Sequence, residues 1–204
     1  MKSFSNSKIA IIQTVLVTII IIGLAQIASA GSYQDLKDNP PPDGYVEVGI
    51  TEMDTLGLSS STLCAATVEK TDSYISQTDN DMVYQSYLND VEKCESDGGK
   101  ECETTQFDAA TPEQKKAINT AMTSKKDVCT AQLKQLAGVA GMSLSLAKIA
   151  KQGKSFFVKL GWKIPKGLKS LGNMKKQIAY LVKAEKFYSQ QKAMMSKLDS
   201  HQGR

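Results

Sequence analysis

One apolar stripe constrains this chain more than anything else in it. Ile118, Met122, Cys129, Leu133, Leu136, Ala140, Leu144 and Ala147 recur at steps of three, four or seven, the spacing that gathers side chains on one face of an α-helix. Thr111-Pro112-Glu113-Gln114 stands just ahead of the stripe. Thr111 can cap the helix, Pro112 suits the first helical position because that amide has no partner there, and Gln114 completes a capping box. The pattern predicts a helix from about residue 112 to about residue 152, with Gly138 and Gly141 marking close packing or a bend.

Similar spacing recurs on both sides. Cys64, Val68, Ile75 and Met82, then Tyr84, Leu88 and Val91, predict helix between Ser61 and Cys94, with a possible break at the capping cluster Thr78-Asp79-Asn80-Asp81. Leu171, Met174, Ile178, Leu181, Val182, Tyr188, Met195 and Leu198 predict a last helix from about 168 to 199, preceded by a break at Pro165. Upstream, Asn39-Pro40-Pro41-Pro42-Asp43-Gly44 favours extended chain running into a turn, and the alternation in Tyr45–Ile50 allows one short strand. No fixed-period repeat occurs, which excludes a solenoid. The expected fold is mainly α: an antiparallel helical bundle or helical hairpin stapled by disulfides, with an extended N-terminal arm and at most one short strand.

The first thirty residues are read as an export signal and not as part of that fold. Lys2 and Lys8 precede the apolar run Ile9–Ala25, and Ala28-Ser29-Ala30 supplies the small residues of a cleavage site. Gln13, Thr14 and Thr18 within the run weigh against an uncleaved anchor. Export implies an oxidising compartment, periplasmic or secreted, where four cysteines favour disulfides. Cys94 and Cys102 flank a polar loop containing Gly98 and Gly99 and are the easiest closure, leaving Cys64 and Cys129 as a longer-range bridge. The domain organisation that follows is 1–30 signal peptide, 31–60 extended arm or linker, 61–152 acidic disulfide-stapled helical domain, and 153–204 basic amphipathic helical region.

Charge is distributed unevenly along the chain. From Gly31 to Cys129 there are 19 acids against eight lysines, a charge of −11, whereas Thr130 to Arg204 carries 14 lysines and one arginine against two acids, or +13. Such asymmetry points to a partner of opposite sign. The basic region interleaves lysines with large apolar residues: Lys148, Lys151, Lys154, Phe156, Phe157, Lys159, Trp162, Lys163, Lys166, Lys169, Lys175 and Lys176 form the candidate membrane- or partner-binding set. Apolar burial and attraction to anionic lipid add at such a segment. An acidic protein partner or head-to-tail self-association would satisfy the same charge. Nucleic acid is disfavoured, because 24 of 25 basic residues are lysine and planar bidentate readout favours arginine. The competing reading places the stripe in a core and the lysines on a solvated face.

Catalytic signals are weak. The only histidine is His201, so neither a histidine triad nor a multi-histidine metal site is expected. No Gly-x-Ser-x-Gly elbow occurs, and Asp79-Asn80-Asp81 lacks the later glycine and glutamate of a calcium loop. We therefore expect no enzyme, no cofactor and no metal. The expected role is that of a non-enzymatic, exported, envelope-associated binding or structural protein acting through its basic C-terminal half. The alternative is a secreted, bilayer-disrupting effector restrained by its acidic half.

Overall fold

The computed structural model describes residues 33–79 and 81–203. The expected export signal, 1–30, lies outside them. The described chain is mainly helical and contains no strand. Its elements are α1 (Tyr33–Asp38), α2 (Thr51–Asp79), α3 (Met82–Ser96), α4 (Cys102–Ala109), α5 (Pro112–Leu136), α6 (Val139–Lys151), α7 (Gly153–Leu160), a 3₁₀ turn (Gly161–Lys163) and α8 (Ile164–His201).

Local chemistry explains most boundaries. Thr111 N donates to Gln114 Oε1 at 2.8 Å and Gln114 N to Thr111 Oγ1 at 3.2 Å, the reciprocal pair of a capping box, so α5 starts where the sequence predicts. Asp81 accepts from Tyr84 N at 3.0 Å and caps α3, so the cluster at 78–81 does separate two helices. The predicted 112–152 helix divides at Ala137 and Gly138, and neither Gly138 nor Gly141 has a close neighbour that would make it a packing glycine. The division re-phases the stripe: Leu146, Ile149 and Ala150 are buried after it, while Ala140 and Leu144 face solvent. Pro165 lies in the first turn of α8 and does not precede it, because the amide it lacks would have no helical partner there.

Two compact units divide the chain. The first combines the residues up to Val68 with Leu136–Ala184, and the second combines Glu69–Gln135 with Glu185–Arg204.

In the first unit Val48, Met53, Leu56, Leu146, Ile149, Leu160, Leu171, Met174 and Ile178 form a core cluster. Tyr45–Ile50 is not a strand. Val48 N and Gly49 N both donate to the Asp54 carboxylate at 2.8 Å, and Gly49 has φ +78°, so Asp54 on the first turn of α2 holds these amides and the chain turns away from extended geometry. Gln177 is fully buried; its Nε2 donates to Pro42 O and Gly44 O, and its Oε1 accepts from Ser60 Oγ.

The second unit is built around tyrosines. Tyr74 meets Phe187 and Tyr188 edge-on, each with ring centroids 5.7 Å apart, and Tyr84 stacks on Tyr87 at 6.2 Å. Tyr87 Oη donates to Glu103 O, and Lys197 Nζ pairs with Glu103 Oε1 at 2.6 Å, fastening α4.

The Cys94–Cys102 disulfide is present. The expected Cys64–Cys129 bridge is not: both are buried free thiols, and each has its own partner within a different unit. Cys64 Sγ lies 3.8 Å from Gln177 O, and Cys129 Sγ lies 3.9 Å from Tyr74 Oη. The even cysteine number therefore overstated the pairing. Replacing Cys94 and Cys102 by serine should lower stability by about 2.5 kcal/mol through the lost loop constraint, read as a fall in the urea midpoint. An unchanged midpoint would mean that the contacts of Glu103 alone hold this loop.

Candidate functional site

The basic region of the first unit exposes both apolar residues and lysines on consecutive elements. On α6, Leu144, Lys148 and Lys151 recur at steps of four and three and are all exposed, while Val139, Leu146, Ile149 and Ala150 are buried. The helix therefore keeps an apolar face for the core and shows a second, mixed face to solvent. Val158 and Lys159 on α7 are exposed too, and the following turn carries Trp162 at 83% exposure, the highest among the described large hydrophobic residues. Lys166, Leu168, Lys169 and Lys176 continue the exposed set along α8.

Leu144 is 66% exposed and Val158 73%, and lysines stand close to each in sequence. Between residues 136 and 184 there are ten lysines and no acid. The same unit takes six acids and Lys37 from residues 33–68, which leaves it a net +5. The second unit is net acidic in sequence. Folding thus mixes the acidic and basic halves of the chain within each unit, yet the first remains cationic.

The predicted binding residues do not share one environment. Lys148, Lys151, Lys159, Lys166, Lys169 and Lys176 are exposed, and Lys175 is half-buried. Lys163 is also half-buried and donates to Val48 O at 3.2 Å, so its ammonium faces the protein. The side chains of Lys154, Phe156 and Phe157 fall outside what the structure describes.

His201 Nε2 lies 2.9 Å from Asp108 Oδ2, an exposed side-chain contact at the end of α8. Lys125 is buried at 3% exposure, donates to Thr78 Oγ1 at 2.8 Å, and sits 4.5 Å from the Tyr74 ring centroid. Burial pushes its ammonium below the ordinary lysine value, while the nearby Asp81 charge partly offsets that. Among the described residues no group of His, Cys, Asp and Glu is placed to hold a metal ion. Lys125 and Gln177 were not among the residues singled out from sequence. A signal for Lys125 existed, since it falls at steps of three and four between Met122 and Cys129 on the buried stripe.

No protein-family model matches the chain, and neither a curated protein nor a solved structure matches it.

Proposed function

We propose that this protein is an exported, non-enzymatic envelope component that binds an anionic membrane surface peripherally, through the exposed apolar and lysine residues from Leu144 to Lys176. The observation that carries the reading is the coincidence of exposed Leu144, Val158 and Trp162 with six exposed lysines in a stretch devoid of acid. Tryptophan prefers the boundary between headgroups and acyl chains, since its ring is apolar and its N–H polar. Each lysine near an anionic surface adds about 1 kcal/mol at moderate ionic strength. Peripheral attachment fits the dimensions. α6 has 13 residues and α7 eight, lengths of about 20 and 12 Å against a hydrocarbon core of about 30 Å. Among the described residues no helix is long and apolar enough to cross a membrane.

Sedimentation of residues 31–204 with vesicles tests the proposal. Binding should occur to phosphatidylglycerol vesicles at low salt, be weak on phosphatidylcholine, and fall as salt screens the lysines. Combining Lys148→Gln, Lys151→Gln and Lys159→Gln should weaken binding by about 100-fold, from roughly 1 kcal/mol per lysine. No association with anionic vesicles would overturn the reading. Leakage of entrapped dye on binding would favour the bilayer-disrupting alternative.

A further inference from the structure

We infer that Trp162 is the point of this surface that enters the lipid interface and that a latch between Lys163 and the Val48–Gly49 turn holds it there, an inference that rests on the membrane reading above. The corner carrying Trp162 is pinned on both sides. Before it, Leu160 is buried at 2% exposure in the core cluster. After it, Lys163 Nζ donates to Val48 O at 3.2 Å. Gly161 turns the chain between them with φ +51°, a left-handed conformation that costs glycine little.

The other half of the latch is equally fixed. Val48 is buried at 2%, and the Val48 and Gly49 amides both donate to Asp54 at 2.8 Å. A carbonyl whose neighbouring amides are held by a carboxylate on the first turn of α2 offers Lys163 a stationary acceptor. Gly49 is needed here twice over: it has φ +78°, and a Cβ on it would stand 3.1 Å from Lys163 Nζ. Lys163 Nζ is also 5.9 Å from the Trp162 ring centroid, at the outer limit of cation–π attraction. The consequence is a large indole standing 83% exposed on a corner with Leu160 buried two residues before it and Lys163 hydrogen-bonded immediately after it. An anchor held in advance loses less side-chain and backbone freedom when it enters an interface, and so binds more tightly than a loose one. Lys163 and Asp54 are positioning residues in this arrangement, and neither needs to touch lipid.

Charge and positioning can be separated because the two make opposite predictions at Asp54. Asp54→Asn removes a negative charge from the unit, so electrostatics alone would strengthen binding to anionic vesicles. The latch predicts the reverse, because a neutral amide holds the Val48 and Gly49 amides less firmly. Trp162 is the only tryptophan in the chain, so its fluorescence reports the corner directly. On titration with phosphatidylglycerol vesicles the wild-type emission should shift to the blue. Asp54→Asn and Lys163→Met should each need about fivefold more lipid for half the shift, and their lipid-free Trp162 anisotropy should fall. Lys163→Arg, which keeps a donor and the charge, should recover most of the binding. Circular dichroism melts establish that each variant is folded, and Gly49→Ala provides a second perturbation of the same turn should Asp54→Asn not fold. A wild-type shift that Asp54→Asn and Gly49→Ala leave unchanged or strengthen overturns the latch alone. Absence of any wild-type shift overturns the membrane reading and the anchor with it.

Discussion

Raising the pH from 8 to 11 should unfold this protein, with thermal stability falling steadily once the pH passes about 9. The cause is a set of buried acids that fold best when protonated. Burial pushes the Cys64 thiol from 9.0 up to about 12, helped by the Asp43 charge, and pushes the Tyr188 phenol up to about 12 against a lowering by the Thr71 hydrogen bond. Tyr74, Tyr84, Tyr87 and Cys129 are shifted upward as well, each chiefly by desolvation. For each group the native state holds its proton to a higher pH than the unfolded chain does. Its contribution is therefore intact below the unfolded value, near 9 for the thiols and 10 for the phenols, and is lost as the pH climbs from there toward the folded value. Each such group removes about 1.4 kcal/mol per pH unit within its window, so between pH 9 and 11 the two thiols, over two units, and the four phenols, over one, together remove about 11 kcal/mol, on the scale of the roughly 5–15 kcal/mol that holds a typical domain. Lys125 acts in the opposite sense. Its lowered value means stability rises with pH up to the unfolded lysine value of 10.5 and not beyond, so it softens the onset without preventing the loss. Melting temperatures by circular dichroism at pH 8, 9, 10 and 11 would check this. A flat profile through pH 10.5 would mean that the tyrosine cluster of the second unit is hydrated and titrates freely.

How far the sequence foretold this molecule depends on how local the physics is. The α5 cap, the helix break at Asp81 and the Cys94–Cys102 closure each depend on residues within nine positions of one another, and all three are present. The stripe through Ile118, Met122 and Cys129 is buried as its spacing predicts. It stops being informative at Ala137–Gly138, because a helix interruption resets the rotational phase and turns Leu144 from a core position into an exposed one. Pairing of Cys64 with Cys129 required knowledge of which residues surround each thiol, which periodicity does not carry. The charge halves were legible as a count but not as a surface. Only the fold reveals that residues 33–68 bring six acids into the same unit as the lysines of 136–184. Lysine identity was likewise a poor guide to role, as Lys163 faces the backbone of Val48 while Lys159 and Lys166 face solvent.

Gln177 shows the same limit and carries the other large effect. Read from sequence it is one polar residue next to Ile178 on the last helix. In the structure it is fully buried, and its three side-chain hydrogen bonds reach residues more than a hundred positions away in sequence: Nε2 donates to Pro42 O at 2.9 Å and Gly44 O at 2.7 Å, and Oε1 accepts from Ser60 Oγ at 3.0 Å. One amide thus ties the irregular 42–44 segment and α2 to α8 within the first unit. Gln177→Leu keeps the approximate volume and removes all three bonds, so it should cost about 3 kcal/mol at roughly 1 kcal/mol per bond. Gln177→Glu is the more telling variant. An ionised carboxylate still accepts from Ser60 but turns an oxygen toward two carbonyls that require a donor, and it carries a charge into a buried position. It should therefore be less stable than Gln177→Leu at pH 7. On acidification its carboxyl can take a proton and donate to one carbonyl. Burial raises the carboxyl above its unfolded value, so the native state binds the extra proton first and stability returns as the pH falls. Urea midpoints at pH 7 and pH 4.5, each taken relative to wild type at the same pH, would measure the recovery. If Gln177→Glu tracked wild type at both values, the amide would not be the fastening that its three short bonds describe.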